Sequence, residues 1–116
     1  QLRREFPDLD VSAVLGDVCD PATCQHVMDR LRPEVVFHAA AYKHVPLLQA
    51  QLREAFRNNV LGTRAIAQAC VDAGVDTFVL ISSDKAVNPA NVMGASKRMA
   101  ELYCQNLAQR VSTRFI

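Results

Sequence analysis

Two neighbouring clusters in the sequence carry side chains able to move protons. Ser82-Ser83-Asp84-Lys85 places hydroxyl, carboxylate and ammonium groups in succession, and Met93 and Lys97 follow, four residues apart. A positioned acid or base contributes ~10²–10⁴-fold to a reaction rate. Lysine acts as a base near neutral pH only where burial or a neighbouring cation depresses its pKa. Methionine has no proton to give, so at Met93 only packing is on offer. By residue type alone the bland readings stand beside these: Asp84 as a turn residue after a strand, Lys85 as a solvated cation, Lys97 as a surface helix lysine. A third cluster, His38-Ala39-Ala40-Ala41-Tyr42-Lys43-His44, pairs polar groups with residues small enough for close backbone approach or for packing. Gly16-Asp17 supplies a fourth polar turn. No His/Cys/Asp group has metal-ligand spacing, so no metal site is expected. Cys19, Cys24, Cys70 and Cys104 include no C-x-x-C pair and read as reduced thiols.

The elements that must position these groups show in the hydrophobic period. Val11 to Leu15 reads as a short strand closed by Gly16-Asp17. Asp20-Pro21 is an N-cap with Pro at the first helical position, and Cys24, Val27, Met28 and Leu31 then fall on one helical face. Arg32-Pro33 ends that helix and Val35 to Phe37 is a second strand. A helical pattern runs from about Leu48 to Ala73, with Leu52, Ala55, Phe56, Val60, Ile66, Ala67 and Cys70 as its stripe and Gly74 as its C′ residue. Thr77 to Ser82 is a strand apolar on both faces, which suits a parallel sheet covered on each side. A helix from about Met93 to Arg110 follows, with Ala95, Met99, Leu102 and Leu107 available for burial, and Thr113 to Ile116 opens a fourth strand. Alternation of this kind predicts an α/β fold, a partial doubly wound parallel sheet. Ligands of such sheets bind beyond the carboxyl ends of the strands, where the polar clusters fall.

Composition bounds the rest. The 116 residues are half apolar, with 13 basic and 12 acidic side chains. That suits one domain with one modest core. A net charge of +1 gives no reason to expect nucleic acid as a partner. No apolar stretch approaches the ~18 residues of a membrane span, and no secretory signal is expected. Gln1 in place of an initiator Met, and an end at Arg114-Phe115-Ile116, predict a piece of a longer chain.

The runs HAAAYKHVPL (38–47), NNVLGT (58–63) and LISSDKAVNPANVMGASKRMAE (80–101) resemble the extended short-chain dehydrogenase/reductases. Within these, the chain is similar to the bacterial UDP-N-acetylglucosamine 4,6-dehydratases of polysaccharide and capsule biosynthesis. The resemblance covers nearly everything from Leu15 onward. It implies an incomplete NAD(P)-binding Rossmann-like domain over 1–116, without the N-terminal glycine-rich unit and the C-terminal substrate part; no G-x-G-x-x-G occurs in the sequence. Met93 stands where most members carry a tyrosine acid/base, a replacement that matches the large membrane-anchored branch of these dehydratases.

The implied reaction takes a hydride from C4, a proton from C5 and hydroxide from C6. On this resemblance Asp84 is the acid, Lys85 the base and Ser83 the partner of the C4 oxygen, while Lys97 hydrogen-bonds the nicotinamide ribose and Met93 lines the site. Asp17, Ala39, Ala40, Ala41, Asn59 and Lys97 contact the NAD or NADP cofactor. Asn59, lying on an apolar stripe, needs a buried partner and fits a structural role as well. A UDP-sugar is the implied partner, with no membrane contact from this segment, a cytoplasmic location (the parent at the inner-membrane face) and a homo-oligomer as a further expectation. A sugar-nucleotide epimerase shares the C4 oxidation and is the alternative enzyme. The alternative outside enzymology is a truncated, inactive fragment that pairs through an open strand edge. A phosphoacceptor domain is set aside, because His38 and alanines follow the strand ending at Phe37.

Overall fold

The computed structural model describes residues 1–39, 53–54, 56–81 and 92–116. A single helical turn, α1 (Leu2–Glu5), precedes an irregular stretch. Val11 to Leu15, expected as a strand, is not part of the sheet. A β run becomes a strand only through a ladder with a neighbour, and no described strand lies beside it; Leu15 is fully exposed.

Helix α2 (Pro21–Leu31) starts as the sequence predicts. Asp20 Oδ1 accepts from Ala22 N at 3.2 Å, and Thr23 Oγ1 donates to Asp20 Oδ2 at 2.7 Å. Arg32, in the left-handed region at φ 47°, ends it. Strand β1 (Val35–His38) follows. Beyond residues 40–52, helical backbone at Arg53, Glu54 and Phe56 leads into a π turn, Arg57–Leu61, and then α3 (Gly62–Asp72). Gly74 (φ 73°) closes α3 as the expected C′ residue, its N–H donating to Val71 O at 3.1 Å. Strand β2 (Thr77–Leu80), helix α4 (Val92–Ala108) and the short β3 (Arg114–Phe115) complete the order.

The strands form a parallel sheet in the order β1-β2-β3, with Val36 opposite Phe78 and Phe78 opposite Phe115. Parallel neighbours demand crossovers, which α3 and α4 supply. Their joint face meets Val36, Phe78, Leu80 and Phe115, and α2 packs on α3. The core is built around Phe78, Cys70 and Ala67, none of them exposed, with Cys24, Met28, Ile66, Ala69, Val75 and Cys104 around them. Cys24, Cys70 and Cys104 thus lie in helices as expected, and all four cysteines are free thiols.

The sheet is apolar on both faces, and the described helices cover one of them; the one expectation about faces that is corrected concerns α4. Val35, Phe37 (69% exposed), Ile81 and Ile116 stand bare on the other side by the period-2 rule. On α4 the buried stripe is Ser96, Ala100 and Cys104, while Ala95, Met99 and Leu102 are exposed and Leu107 is half-buried. Small residues face inward because they let α4 approach the π turn and α3, where Asn59 and Ala67 are themselves almost completely buried.

Candidate functional site

The π turn decides where the polar groups of NNVLGT point. A π turn holds one residue more than an α turn, so it offsets the helical stripe, and such turns recur at functional sites. Phe56, assigned to the buried stripe by α-helical counting, is exposed, and Asn59 is buried at 2% exposure. Asn59 Nδ2 donates to Ser96 Oγ at 2.9 Å. That gives the asparagine the buried partner its position required. Ser96, itself 1% exposed, immediately precedes Lys97 on α4.

Strand β1 contributes His38 to the same network. Thr63 Oγ1 donates to the Asn59 carbonyl at 2.7 Å, and His38 Nε2 lies 3.0 Å from that Thr63 hydroxyl oxygen. The hydroxyl proton is committed to Asn59, so Nε2–H must donate, which assigns His38 the neutral Nε2–H tautomer. Burial pushes the His38 pKa below its ordinary 6.5 and favours the same neutral ring. Phe78 lies against that ring with centroids 6.0 Å apart. Among the described residues no buried side-chain nitrogen or oxygen lacks a partner.

The π turn also grips the loop before α2. Cys19 Sγ donates to Arg57 O at 3.6 Å, and Arg57 Nη2 lies 3.6 Å from Asp17 Oδ2. Asp17 Oδ1 accepts from Cys19 N at 2.9 Å. That amide, followed by the Arg57 guanidinium, holds the exposed Asp17 carboxyl below its usual range. Gly62 permits the approach, since a β-carbon there would sit 3.0 Å from Val18 Cγ2.

Of the residues expected to do chemistry or bind cofactor, Asn59, Lys97, Asp17 and Ala39 are described. Asn59 meets the residue before Lys97; Asp17 joins the same π turn through Arg57; Ala39 is exposed just past His38 at the carboxyl edge of the sheet. Met93 lies in α4, its side chain outside the described residues, and Ser83, Asp84, Lys85, Ala40 and Ala41 also lie outside them. Sequence reasoning named His38 only as the head of a polar cluster, without a role, and did not single out Thr63, Ser96 or Arg57. Thr63, four residues after Asn59, and a histidine ending an apolar strand were the available signals. No group of three metal-ligating side chains is placed together among the described residues, and no described helix is long and apolar enough to cross a membrane.

Comparison with known proteins agrees with this architecture. The probable polysaccharide biosynthesis protein EpsC of Bacillus subtilis is 51% identical over 88% of this chain and 17% of its own length. The capsular polysaccharide biosynthesis protein CapD of Staphylococcus aureus is 50% identical over 81% of this chain and 16% of its own length. A UDP-N-acetylglucosamine 4,6-dehydratase (inverting) of Campylobacter jejuni is 35% identical over 87% of this chain and 30% of its own length. The chain therefore spans less than a third of the length of these relatives. Among solved structures, Pen from Bacillus thuringiensis superposes with a TM-score of 0.85 at 30% identity, covering 98% of this chain and 36% of that one. A UDP-glucose 4-epimerase from Brucella ovis in complex with NAD superposes at 0.80 and 27% identity, covering 88% and 36%. The family described as polysaccharide biosynthesis protein matches residues 2–116, and the chain belongs to that family.

Proposed function

We propose that this chain is the central, NAD(P)-binding segment of a nucleotide-sugar 4,6-dehydratase that converts UDP-N-acetylglucosamine to a 4-keto-6-deoxy sugar nucleotide for polysaccharide assembly. The observation that carries the reading is the junction of the NNVLGT segment with Ser96-Lys97 at one end of a Rossmann-type parallel sheet. The 35% identical dehydratase supports the reaction and substrate.

The described residues fit a dinucleotide along the carboxyl edge. Ala39 offers backbone that a ligand can approach closely, Asp17 offers an exposed acceptor, and Lys97 is half-buried on the first turns of α4. NAD(P)⁺, when bound, supplies the acceptor and later the donor of a hydride. Lys97 holds the nicotinamide ribose and places positive charge beside the sugar; Asp17 accepts from the adenine; Ala39, Ala40, Ala41 and Asn59 shape the cofactor's bed. Ser83 bonds the C4 oxygen, Lys85 takes the C5 proton and Asp84 gives a proton to the departing C6 hydroxyl. Met93 packs against the reacting groups and moves no proton. The glycine-rich turn that cradles a pyrophosphate does not occur in these 116 residues, so cofactor binding belongs to the longer protein. We place that protein at the cytoplasmic face of the membrane.

The test is proton NMR of the full-length protein with UDP-N-acetylglucosamine and NAD(P)⁺ in heavy water. A new C6 methyl signal with deuterium at C5 is expected. A C4 epimer without a methyl signal would establish instead the epimerase reading, which the Brucella ovis likeness favours. Unchanged substrate from folded, cofactor-loaded protein would refute both.

A further inference from the structure

We infer that Thr63 and His38 are positioning residues for Lys97, acting through a directed chain of buried hydrogen bonds that runs from β1 through the π turn to α4. The inference rests on the role proposed above for Lys97. The chain has a fixed polarity. His38 Nε2–H donates to Thr63 Oγ1, Thr63 Oγ1–H donates to the Asn59 carbonyl, and the Asn59 side-chain amide donates to Ser96 Oγ. Every link joins residues at most 5% exposed. In such surroundings each bond holds its geometry firmly, because no water replaces a lost partner.

What the chain positions follows from its ends. A π turn leaves backbone carbonyls displaced from the regular α ladder, and the Thr63 hydroxyl takes up the one at Asn59. That holds the turn in the form that buries the Asn59 amide against α4. His38 in turn fixes the Thr63 rotamer, and its own place is set by β1's ladder to β2 and by the Phe78 ring. Ser96 is adjacent to Lys97, so the Asn59–Ser96 bond sets the rotation and height of the first turns of α4 relative to the carboxyl edge of the sheet. Thr63 and His38 themselves touch no reacting atom; they decide where the lysine stands.

The test uses the full-length protein. Thr63→Val preserves side-chain shape and removes the hydroxyl. The dissociation constant for NAD(P)⁺ should rise about tenfold, the scale of one buried hydrogen bond, and kcat should fall while KM for UDP-N-acetylglucosamine holds. Thr63→Ser should recover most of the affinity. Ser96→Ala cuts the same chain further along, so the double variant T63V/S96A should lose little more than either single one. Wild-type cofactor affinity in Thr63→Val, or losses that add fully, would overturn the inference. If Thr63→Val does not fold, Ser96→Ala and the imidazole ¹⁵N shifts of His38 decide. A weakened cofactor affinity with an Nε2–H tautomer supports the chain; an Nδ1–H tautomer or unchanged affinity rejects it. Lys97→Met tests the underlying role separately. If it binds NAD(P)⁺ as tightly as wild type, the proposed role of Lys97 fails, while the tautomer and the Thr63–Ser96 coupling still report on the network itself.

Discussion

Gly62 is where the packing of α3 against the loop before α2 has least room. An added β-carbon would lie 3.0 Å from Val18 Cγ2 and 3.4 Å from Cys19 Sγ, whereas carbon atoms settle at about 3.5–4.0 Å. Two effects oppose each other in Gly62→Ala. Alanine in a helix is better than glycine by about 0.8–1 kcal/mol, and overpacking a filled site costs about 1–3 kcal/mol. The shortfall of at least half an ångström against Val18 makes overpacking win, for a net loss of about 1 kcal/mol. Val18→Ala removes the obstructing methyl, and in that background Gly62→Ala should stabilise by up to about 1 kcal/mol. The coupling between the two sites is then about 2 kcal/mol. Urea unfolding of the four proteins measures it, read as midpoints at constant m. If Gly62→Ala stabilises equally with Val18 and with Ala at position 18, the close approach of α3 to this loop is wrong. The grip of Arg57 on Asp17 and Cys19 would be wrong with it.

Gly74→Ala should cost about 1–2 kcal/mol in the same assay, because φ of 73° is left-handed; a neutral result would mean that α3 does not end there. His38 has a folded pKa lowered below 6.5. Its contribution to stability is therefore complete above pH 6.5 and falls as the pH drops from 6.5 toward the folded value; His38→Phe should flatten that slope in urea midpoints taken across the range. Burial pushes Cys70 up to about 12 and Cys104 up to about 11, and Cys24 is buried too. Thiol labelling at about pH 8, followed by mass spectrometry, should mark Cys19 first; early labelling of Cys70 would contradict the packing of α3. The bare sheet face at Val35, Phe37, Ile81 and Ile116 should make the isolated 116-residue chain self-associate, and Phe37→Lys should lower its apparent mass in light scattering; no difference would remove that face from the contact.

Local signals that depend on neighbours a few residues away were legible. Asp20-Pro21 announced α2 because a side-chain oxygen and a residue lacking an N–H meet the demands of a helix start. Gly74 announced the end of α3 because only glycine takes the left-handed turn cheaply. The alternation of apolar periods announced the α/β sheet. Val11 to Leu15 misled for the complementary reason: β-branched composition describes a residue's fitness for a strand, and a strand exists only beside another.

By itself, then, the sequence determined the alternation of helices and strands from α2 onward, the reduced state of the thiols, and family membership through its runs at 38–47, 58–63 and 80–101. Tertiary structure decided which residues of those runs meet. Counting at 3.6 residues per turn put both Phe56 and Asn59 on the buried stripe; with the π turn at Arg57–Leu61, Phe56 is exposed while Asn59 is buried with its amide on Ser96. The α4 face buried through Ala100 and Cys104, rather than Met99 and Leu102, was likewise set by how closely that helix must approach its neighbours. Helix periodicity names several compatible faces, and only the positions of β1, the π turn and α4 relative to one another select the one that joins His38, Thr63, Asn59 and Ser96 into a single buried chain beside Lys97.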